Sequence, residues 1–319
     1  MHASQNNAKG KTPDEPALIY ILSNARSLYS TRRFFEEGIK RGCKVKVYPP
    51  LALTLFVEKS GCKVYFQKQI LPRPDIIIPR VGQKKAGYTM AVIKQFEMLG
   101  VISLNTIHSI TRARDKLRSL QLLAQNHIPV PRTFFIDSIN DIDIALDAVG
   151  GAPVIIKLME GTQGMGVILA ESVRSARSIV ESLINQGQHV LIQEFIEEST
   201  GRDLRVIVLN NKVIAAMQRT SIGDEFRSNV HRGGSHCNAS LSIESEKLAR
   251  LAAKVLGLNL AGVDLIESKR GPLILEVNPS PGIEGIEAST GVNIAEHCIM
   301  YLEKELRLKR SVRKTPAGS

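Results

Sequence analysis

The chain has 319 residues, 43% of them hydrophobic, and a formal charge of +11, which accommodates two or three structural units with substantial cores. No stretch nears the roughly 18 consecutive apolar residues of a membrane span, and the opening MHASQNNAKGKTPDEP lacks a signal-like apolar run, so a cytoplasmic protein without a membrane partner is expected. Aromatic residues make up 5% and tryptophan is absent, which leaves few stacking platforms and argues against direct recognition of nucleic acid.

Residues 1–16 read as a polar extension. From residue 17, short runs rich in Ile, Val and Leu alternate with helical patterns. ALIYILS (17–23), KVKVY (44–48), DIIIPRV (75–81) and VISLN (101–105) predict strands, with helices near 30–41 and 87–99, giving an α/β N-terminal domain over 17–108 with a partly parallel sheet. A second unit, 109–188, opens with a helix near 109–126 that Asn126, Pro129 and Pro131 close. RTFFI, a helix near 138–148, PVIIKLM (153–159), GVILA (166–170) and a helix near 172–187 make it a small α+β domain. The third unit, 189–306, carries HVLIQEFI, then LRVIVL and KVIAAMQ around an Asn210-Asn211 turn, a helix near 243–256, a hairpin, and a closing helix near 291–306. Arg307, Lys309, Arg310, Arg313 and Lys314 put five positive charges and no acid in the last 13 residues, a solvated basic tail. The remaining +6 can steer the protein toward acidic partners. Cys43, Cys62, Cys237 and Cys298 are scattered, without metal-ligand spacing, and read as reduced thiols.

The chemistry concentrates in residues 261–285, AGVDLIESKRGPLILEVNPSPGIEG. A three-residue turn at Lys269, Arg270 and Gly271, with Gly271 at positive φ, places Asp264 opposite Glu276 and turns Asn278 to the same side. Two carboxylates and an amide suit a hard divalent cation such as Mg2+. The competing reading is a solvated acidic face, which the apolar neighbours Val263, Leu265, Leu275 and Val277 weaken.

Residues 151–170, GAPVIIKLMEGTQGMGVILA, set Gly161, Gly164 and Gly166 between two strands, with Lys157 inside the first. Glycines let backbone N–H groups approach phosphate closely, and a lysine flanked by Ile155, Ile156 and Leu158 needs an anion nearby. The stretch lacks the Gly-Lys-Ser/Thr ending of a P-loop, and it precedes a strand where a dinucleotide fold needs a helix. Asp203 and Arg205, two apart, leave one strand on one face. Arg219 and the segment FRSNVHRGG add Arg227, Asn229, His231 and Arg232, donors suited to carboxylate or phosphate. His231 is read as a structural hydrogen-bonder.

Lys116, Lys157, the 161–166 glycine turn, Gln193-Glu194-Phe195-Ile196 and the Asp264, Glu276, Asn278 trio, in that order, resemble the ATP-grasp superfamily over about residues 17–306. More closely, QFEMLG, RARDKLRSLQLL, VGGAPVIIKLMEGTQGMGVILAE, FRSNVHRGG and NPSPGIEGIEASTG resemble the RimK-type α-L-glutamate ligases, which add glutamate to the C-terminus of a small-subunit ribosomal protein. The resemblance implies an ATP-grasp fold with a Rossmann-like preATP-grasp domain, a small central domain with a glycine-rich lid, and a C-terminal metal-binding domain. It implies that ATP activates a carboxylate as an acyl-phosphate, which the glutamate amine attacks. Lys116, Lys157, Gly161, Gly164 and Gly166 would hold nucleotide phosphates, Gln193, Glu194, Phe195 and Ile196 the adenine, and Asp203 the nucleotide. Arg205, Arg219 and Arg227, with Asn229, would stabilise the acyl-phosphate and substrate carboxylates. Two Mg2+ or Mn2+ ions would sit on Asp264, Glu276 and Asn278. Partners so implied are L-glutamate and a ribosomal protein with an acidic C-terminal tail, in a homo-oligomer for which a tetramer is one form.

Two other readings stand beside this one. A related ligase would join glutamate to a small molecule or amino acid, acceptor choice residing in loops such as 83–90 and 220–236. A nucleotide-binding adaptor without chemistry is the other, and the intact trio argues against it.

Overall fold

The computed structural model describes residues 15–80, 82, 86–159, 166–221 and 234–312. The chain divides into two compact units, residues 1–104 with 295–319, and residues 105–294.

The first unit is built on a parallel sheet. β1 (Leu18–Leu22), α1 (Tyr29–Lys40) and β2 (Lys44–Tyr48) form a β-α-β element, followed by β3 (Leu53–Glu58), β4 (Gly61–Phe66), β5 (Gln69–Ile70), β6 (Ile76–Pro79), α2 (Ala86–Met98) and β7 (Ile102–Ser103). Strand order is β2-β1-β6-β7, all parallel. Ile19, Tyr20, Ile21 and Leu22 are all 0% exposed, so both sheet faces are buried, as continuous apolar runs require. On α1 the buried positions Thr31, Phe34 and Gly38 fall at helical spacing. Gly38 lets α1 approach β2, since a Cβ there would lie 2.7 Å from Val45 Cγ2. The β2-to-β6 crossover, which the strand and helix alternation leaves without structure, carries a separate antiparallel sheet, β3-β4-β5.

The second unit opens with α3 (Ile107–Arg114) and α4 (Lys116–Gln125) where one helix is predicted. Asp115 breaks it: its backbone is extended, φ −80° and ψ 104°, and its carboxylate caps α4 by accepting from Arg118 N–H at 2.9 Å. Then come β8 (Thr133–Ile136), α5 (Ile142–Val149), β9 (Val154–Leu158), β10 (Val167–Ala170), α6 (Val173–Asn185) and β11 (Val190–Glu194). These strands form an antiparallel sheet in the order β10-β9-β11-β8, with α5 and α6 sealing a core on one face. β12 (Arg202–Leu209), β13 (Lys212–Thr220), β14 (Ser235–Asn238), α7 (Ile243–Leu256), β15 (Leu260–Ser268), β16 (Gly271–Asn278) and α8 (Glu284–Thr290) complete the unit. The sheet order is β14-β13-β12-β15-β16, all antiparallel. Asn210 and Asn211 both take positive φ, 46° and 60°, the conformation their turn needs.

α7 covers one face of this sheet. Ser242 caps its start, Glu244 and Glu246 sit in its first turn, Lys254 in its last, and Gly257 closes it at φ 74°. Leu248, Ala249, Ala252, Ala253 and Leu256 pack on Val206, Val208, Val263, Leu265, Ile274 and Val277. Each buried Val, Leu or Ile among them contributes about 1.5–3 kcal/mol. The opposite face is left for polar side chains. α9 (Ile294–Val312) returns to the first unit, where Arg310 meets Asp75 at 3.3 Å. The helix takes in Arg307 to Val312, so that part of the expected solvated tail is ordered; residues 1–14 and 313–319 lie outside the described residues.

Candidate functional site

The β15–β16 hairpin reaches the expected pairing by a different route. Ser268 pairs with Gly271, so two residues rather than three span the turn, with Gly271 at φ 95° as expected. A bulge then restores the register: Leu265 opposes Ile274, Asp264 opposes Glu276, and Leu275 is the extra residue. Gly262 opposes Asn278. Asp264, Glu276 and Asn278 therefore share one side, and the bulge also presents Leu275 to the cleft beside Glu276.

Cross-strand registers extend this polar face. Arg205 opposes Asp264 and Asp203 opposes Arg219. Arg205 grips Asp264 with two hydrogen bonds, Nε to Oδ1 at 2.7 Å and Nη2 to Oδ2 at 2.6 Å. Arg219 donates from Nε to Asp203 Oδ1 at 2.7 Å, its Nη2 contacts Asp203 Oδ2, and that Nη2 also lies 2.9 Å from Asp264 Oδ2. Burial alone would raise the Asp264 pKa, but the charges of Arg205 and Arg219 outweigh it and hold the carboxyl at about 2. Against the same cost of burial, Asp264 and Asp203 push the Arg219 pKa up. The result is an alternating ionic network across three strands.

Two lysines approach this face. Lys116, the first residue of α4, donates Nζ to Leu158 O at 2.6 Å, and burial lowers its pKa while Glu276 opposes the shift. Lys157 lies half-buried on β9, and burial pushes its ammonium down to about 8, with Glu276 and Asp264 resisting and Lys116 adding to the fall. Among the described residues its ammonium has no hydrogen-bond partner. Gly166 takes φ 80° and its carbonyl accepts from Leu158 N–H at 2.8 Å. Gly161, Gly164, Arg227, Asn229 and His231 lie outside the described residues.

Between the two sheets is a cleft of about 830 Å3, open to solvent. Its chemistry is divided. Ile155, Val167, Ile196, Ile266 and Leu275 form apolar walls; Lys157, Asp203, Arg219, Asp264 and Glu276 supply charge. Phe195, past the end of β11, borders it with backbone N–H and C=O groups that have no partner among the described residues. Gln193 is turned to Thr133, donating Nε2 to its Oγ1 at 2.7 Å. The Glu194 carboxylate is engaged by Arg132 and Arg270.

Sequence reasoning missed Asn105 and the bulge. Asn105 donates Nδ2 to Leu260 O at 2.7 Å and Pro279 O at 2.8 Å, and accepts from Asn259 and Leu260 N–H groups, tying β15 to the loop after Asn278. Nothing in VISLN marks it. Gly262 seats the same loop, because a Cβ there would lie 2.6 Å from Pro281 Cβ.

No group of three or more His, Cys, Asp or Glu side chains placed to hold a metal ion occurs among the described residues, so a cation here would rest on two carboxylates and an amide. The donor set fits a hard ion. Asp264 accepts three guanidinium contacts of the roughly four its carboxylate allows, Glu276 is exposed, and Asn278 Oδ1 spends one lone pair on Ser280 N–H at 2.8 Å.

Known proteins resemble this chain in sequence and fold. Residues 113–302 match the RimK-like ATP-grasp domain and residues 18–110 the RimK PreATP-grasp domain. A probable α-L-glutamate ligase of Marinobacter nauticus is 47% identical over 289 residues, covering 91% of this chain and 96% of that protein. One from Aliivibrio fischeri is 48% identical over 293 residues, covering 92% and 97%. The solved ATP-grasp ligase PsnB, complexed with a minimal precursor, superposes with a TM-score of 0.72 at 21% identity, covering 91% of this chain and 99% of its own. A RimK domain ATP-grasp protein from Sphaerobacter thermophilus gives 0.67 at 20% identity, covering 90% and 99%. The fold is that of the ATP-grasp enzymes, and the protein is an ATP-dependent carboxylate-amine ligase. It belongs to the RimK-like family of ATP-grasp α-L-glutamate ligases.

Proposed function

We propose that this ligase adds L-glutamate to the C-terminal carboxylate of a protein acceptor, a small-subunit ribosomal protein with an acidic tail. The observation that carries the reading is the division of the cleft: apolar walls and the open Phe195 backbone edge suit adenine, while Lys157 and, through a divalent cation, the Asp264–Glu276 pair suit a triphosphate.

Bound there, ATP would place its phosphates by Lys157 and Lys116, with Gly166 beside them. Divalent cations, Mg2+ or Mn2+ and two in number, would rest on Asp264, Glu276 and Asn278 and supply charge neutralisation at the phosphates. A solved PsnB complex holds Mg and ADP with its precursor. An acceptor carboxylate oxygen attacks the γ-phosphorus, ADP leaves, and an acyl-phosphate forms. The glutamate amine then attacks the acyl carbon, a peptide bond forms, and phosphate departs with the amine's surplus proton passing to solvent. Arg205 and Arg219, together with Arg227 and Asn229 from outside the described residues, would stabilise the developing negative charge, and Asp203 holds Arg219 in place. No protein nucleophile is needed; positioning and electrostatics suffice. Assembly as a homo-oligomer and a cytoplasmic location belong to the same proposal; among the described residues no helix is long and apolar enough to cross a membrane.

Purified protein with ATP, Mg2+ and L-glutamate, with and without a peptide ending in acidic residues, tests this by ADP release and peptide mass together. Successive glutamyl additions are expected. ADP release dependent on glutamate without peptide modification would move the acceptor to a small molecule.

A further inference from the structure

Glu194 lines the cleft within the proposed adenine segment, yet its carboxylate is committed to neighbouring arginines instead of to a nucleotide. On β11, Leu191 opposes Lys157 and Gln193 opposes Ile155, whereas Glu194 opposes Val154, a core residue. Its carboxylate is 7% exposed. Oε1 accepts from Arg132 N–H at 2.7 Å, Oε2 from Arg132 Nε at 2.9 Å, and Arg270 Nη2 also binds Oε1. Burial would raise the Glu194 pKa, but the Arg132 N–H and the two guanidinium groups lower it.

Arg132 precedes β8, so its bond is internal to the four-stranded sheet. Arg270 comes from the β15–β16 turn, so its bond crosses to the five-stranded sheet. The crossing is reinforced, because Glu198 Oε1 accepts from Lys269 N–H at 2.6 Å and Ser199 Oγ donates to Glu267 O at 2.6 Å. Asp264 and Glu276 each stand six residues from Arg270 along the hairpin's two arms, about 20 Å of extended chain. A buried carboxylate between guanidinium groups is a weak source of net stability compared with apolar packing, but its forked geometry fixes direction.

We propose that the Lys269–Arg270 turn, gripped by Glu194, sets the spacing between the base-binding segment and the Asp264–Glu276 pair, which makes Arg270 and Glu194 positioning residues for nucleotide binding. This rests on the nucleotide site proposed above. Arg270 is the clean place to test it: its side chain is half exposed, and its loss leaves Glu194 paired with Arg132.

ADP binding in the presence of Mg2+, followed by calorimetry on the full chain, reads the effect directly. Arg270→Ala is expected to fold with a thermal midpoint near the parent's and to bind ADP about tenfold more weakly, ~1.4 kcal/mol. In turnover its KM for ATP should rise while that for glutamate holds. Glu194→Gln should act in the same direction, and the double variant should be no worse than the stronger single one. Arg270→Lys keeps the charge without the fork and should recover only part of the affinity. Parental ADP affinity in a folded Arg270→Ala, or effects that add in the double variant, would overturn the positioning role alone. A parent protein that binds no ADP would remove the nucleotide-site reading with it.

Discussion

The parallel sheet of the first unit and the five-stranded sheet of the second treat their two faces in opposite ways. In the first, consecutive residues Ile19 to Leu22 and Ile76 to Ile78 are 0% exposed, so neither face carries chemistry. In the second, Val206, Val263 and Leu265 go to the α7 core while Asp203, Arg205, Arg219, Asp264 and Glu276 occupy the other face. Period-two alternation thus builds a site only where one face is spared from packing. The polar face remains affordable because its buried charges are paired, as Arg219 is with Asp203 and Asp264.

The contrast can be broken from either side. Glu276→Ala removes an exposed oxygen donor without core volume, so activity should fall by about 10²–10³-fold or more, with an unchanged melting curve, when ADP release and thermal unfolding are measured together. Ile21→Ala in the first unit should do the reverse, costing about 2–5 kcal/mol of stability in denaturant titration while the folded fraction keeps its turnover number. Gly262→Ala should do some of both. Its new Cβ would meet Pro281 at 2.6 Å, so a loss of about 1–3 kcal/mol is expected together with weaker metal-dependent activity, as the Asn278 loop is pushed off the sheet.

The smallest effect is titration of Lys157. Its folded pKa of about 8 lies below the ordinary lysine value. Between those two pH values the unfolded chain binds more protons, so this group's contribution to stability rises with pH. Nucleotide affinity should run the other way, falling as the ammonium deprotonates above about pH 8, with a limiting slope of about tenfold per pH unit. ADP binding followed from pH 7 to 9.5 checks this, and Lys157→Met should flatten the profile.

Much of this was legible in residue order. The Asn210-Asn211 turn, the 243–256 helix and the β1 and β2 strands all come from local rules: positive φ at a turn, helical spacing between caps, and alternation along a strand; the expected Asp264–Glu276 pairing stands only because the bulge at Leu275 offsets a turn one residue shorter than expected. Other features were not. The 109–126 helix is split because Asp115 caps a new helix, a choice between two acceptable local states. The β3-β4-β5 sheet and the short β14 carry too little periodicity to announce themselves, and β14 gains its structure by pairing with β13.

By itself, the sequence determined most of the elements and the family, and it nominated the chemistry-bearing residues, because apolar period, turn residues and ordered motifs are local quantities. Tertiary structure decided what those residues do to one another. That Leu275 bulges to join Glu276 at the cleft, that Asp264 is claimed by Arg205 and Arg219, and that the Glu194 carboxylate binds Arg132 and Arg270 depend on partners distant in the chain. Such contacts are set by strand register and by the need of each buried charge for a counter-charge, and both are settled only when the sheets come together.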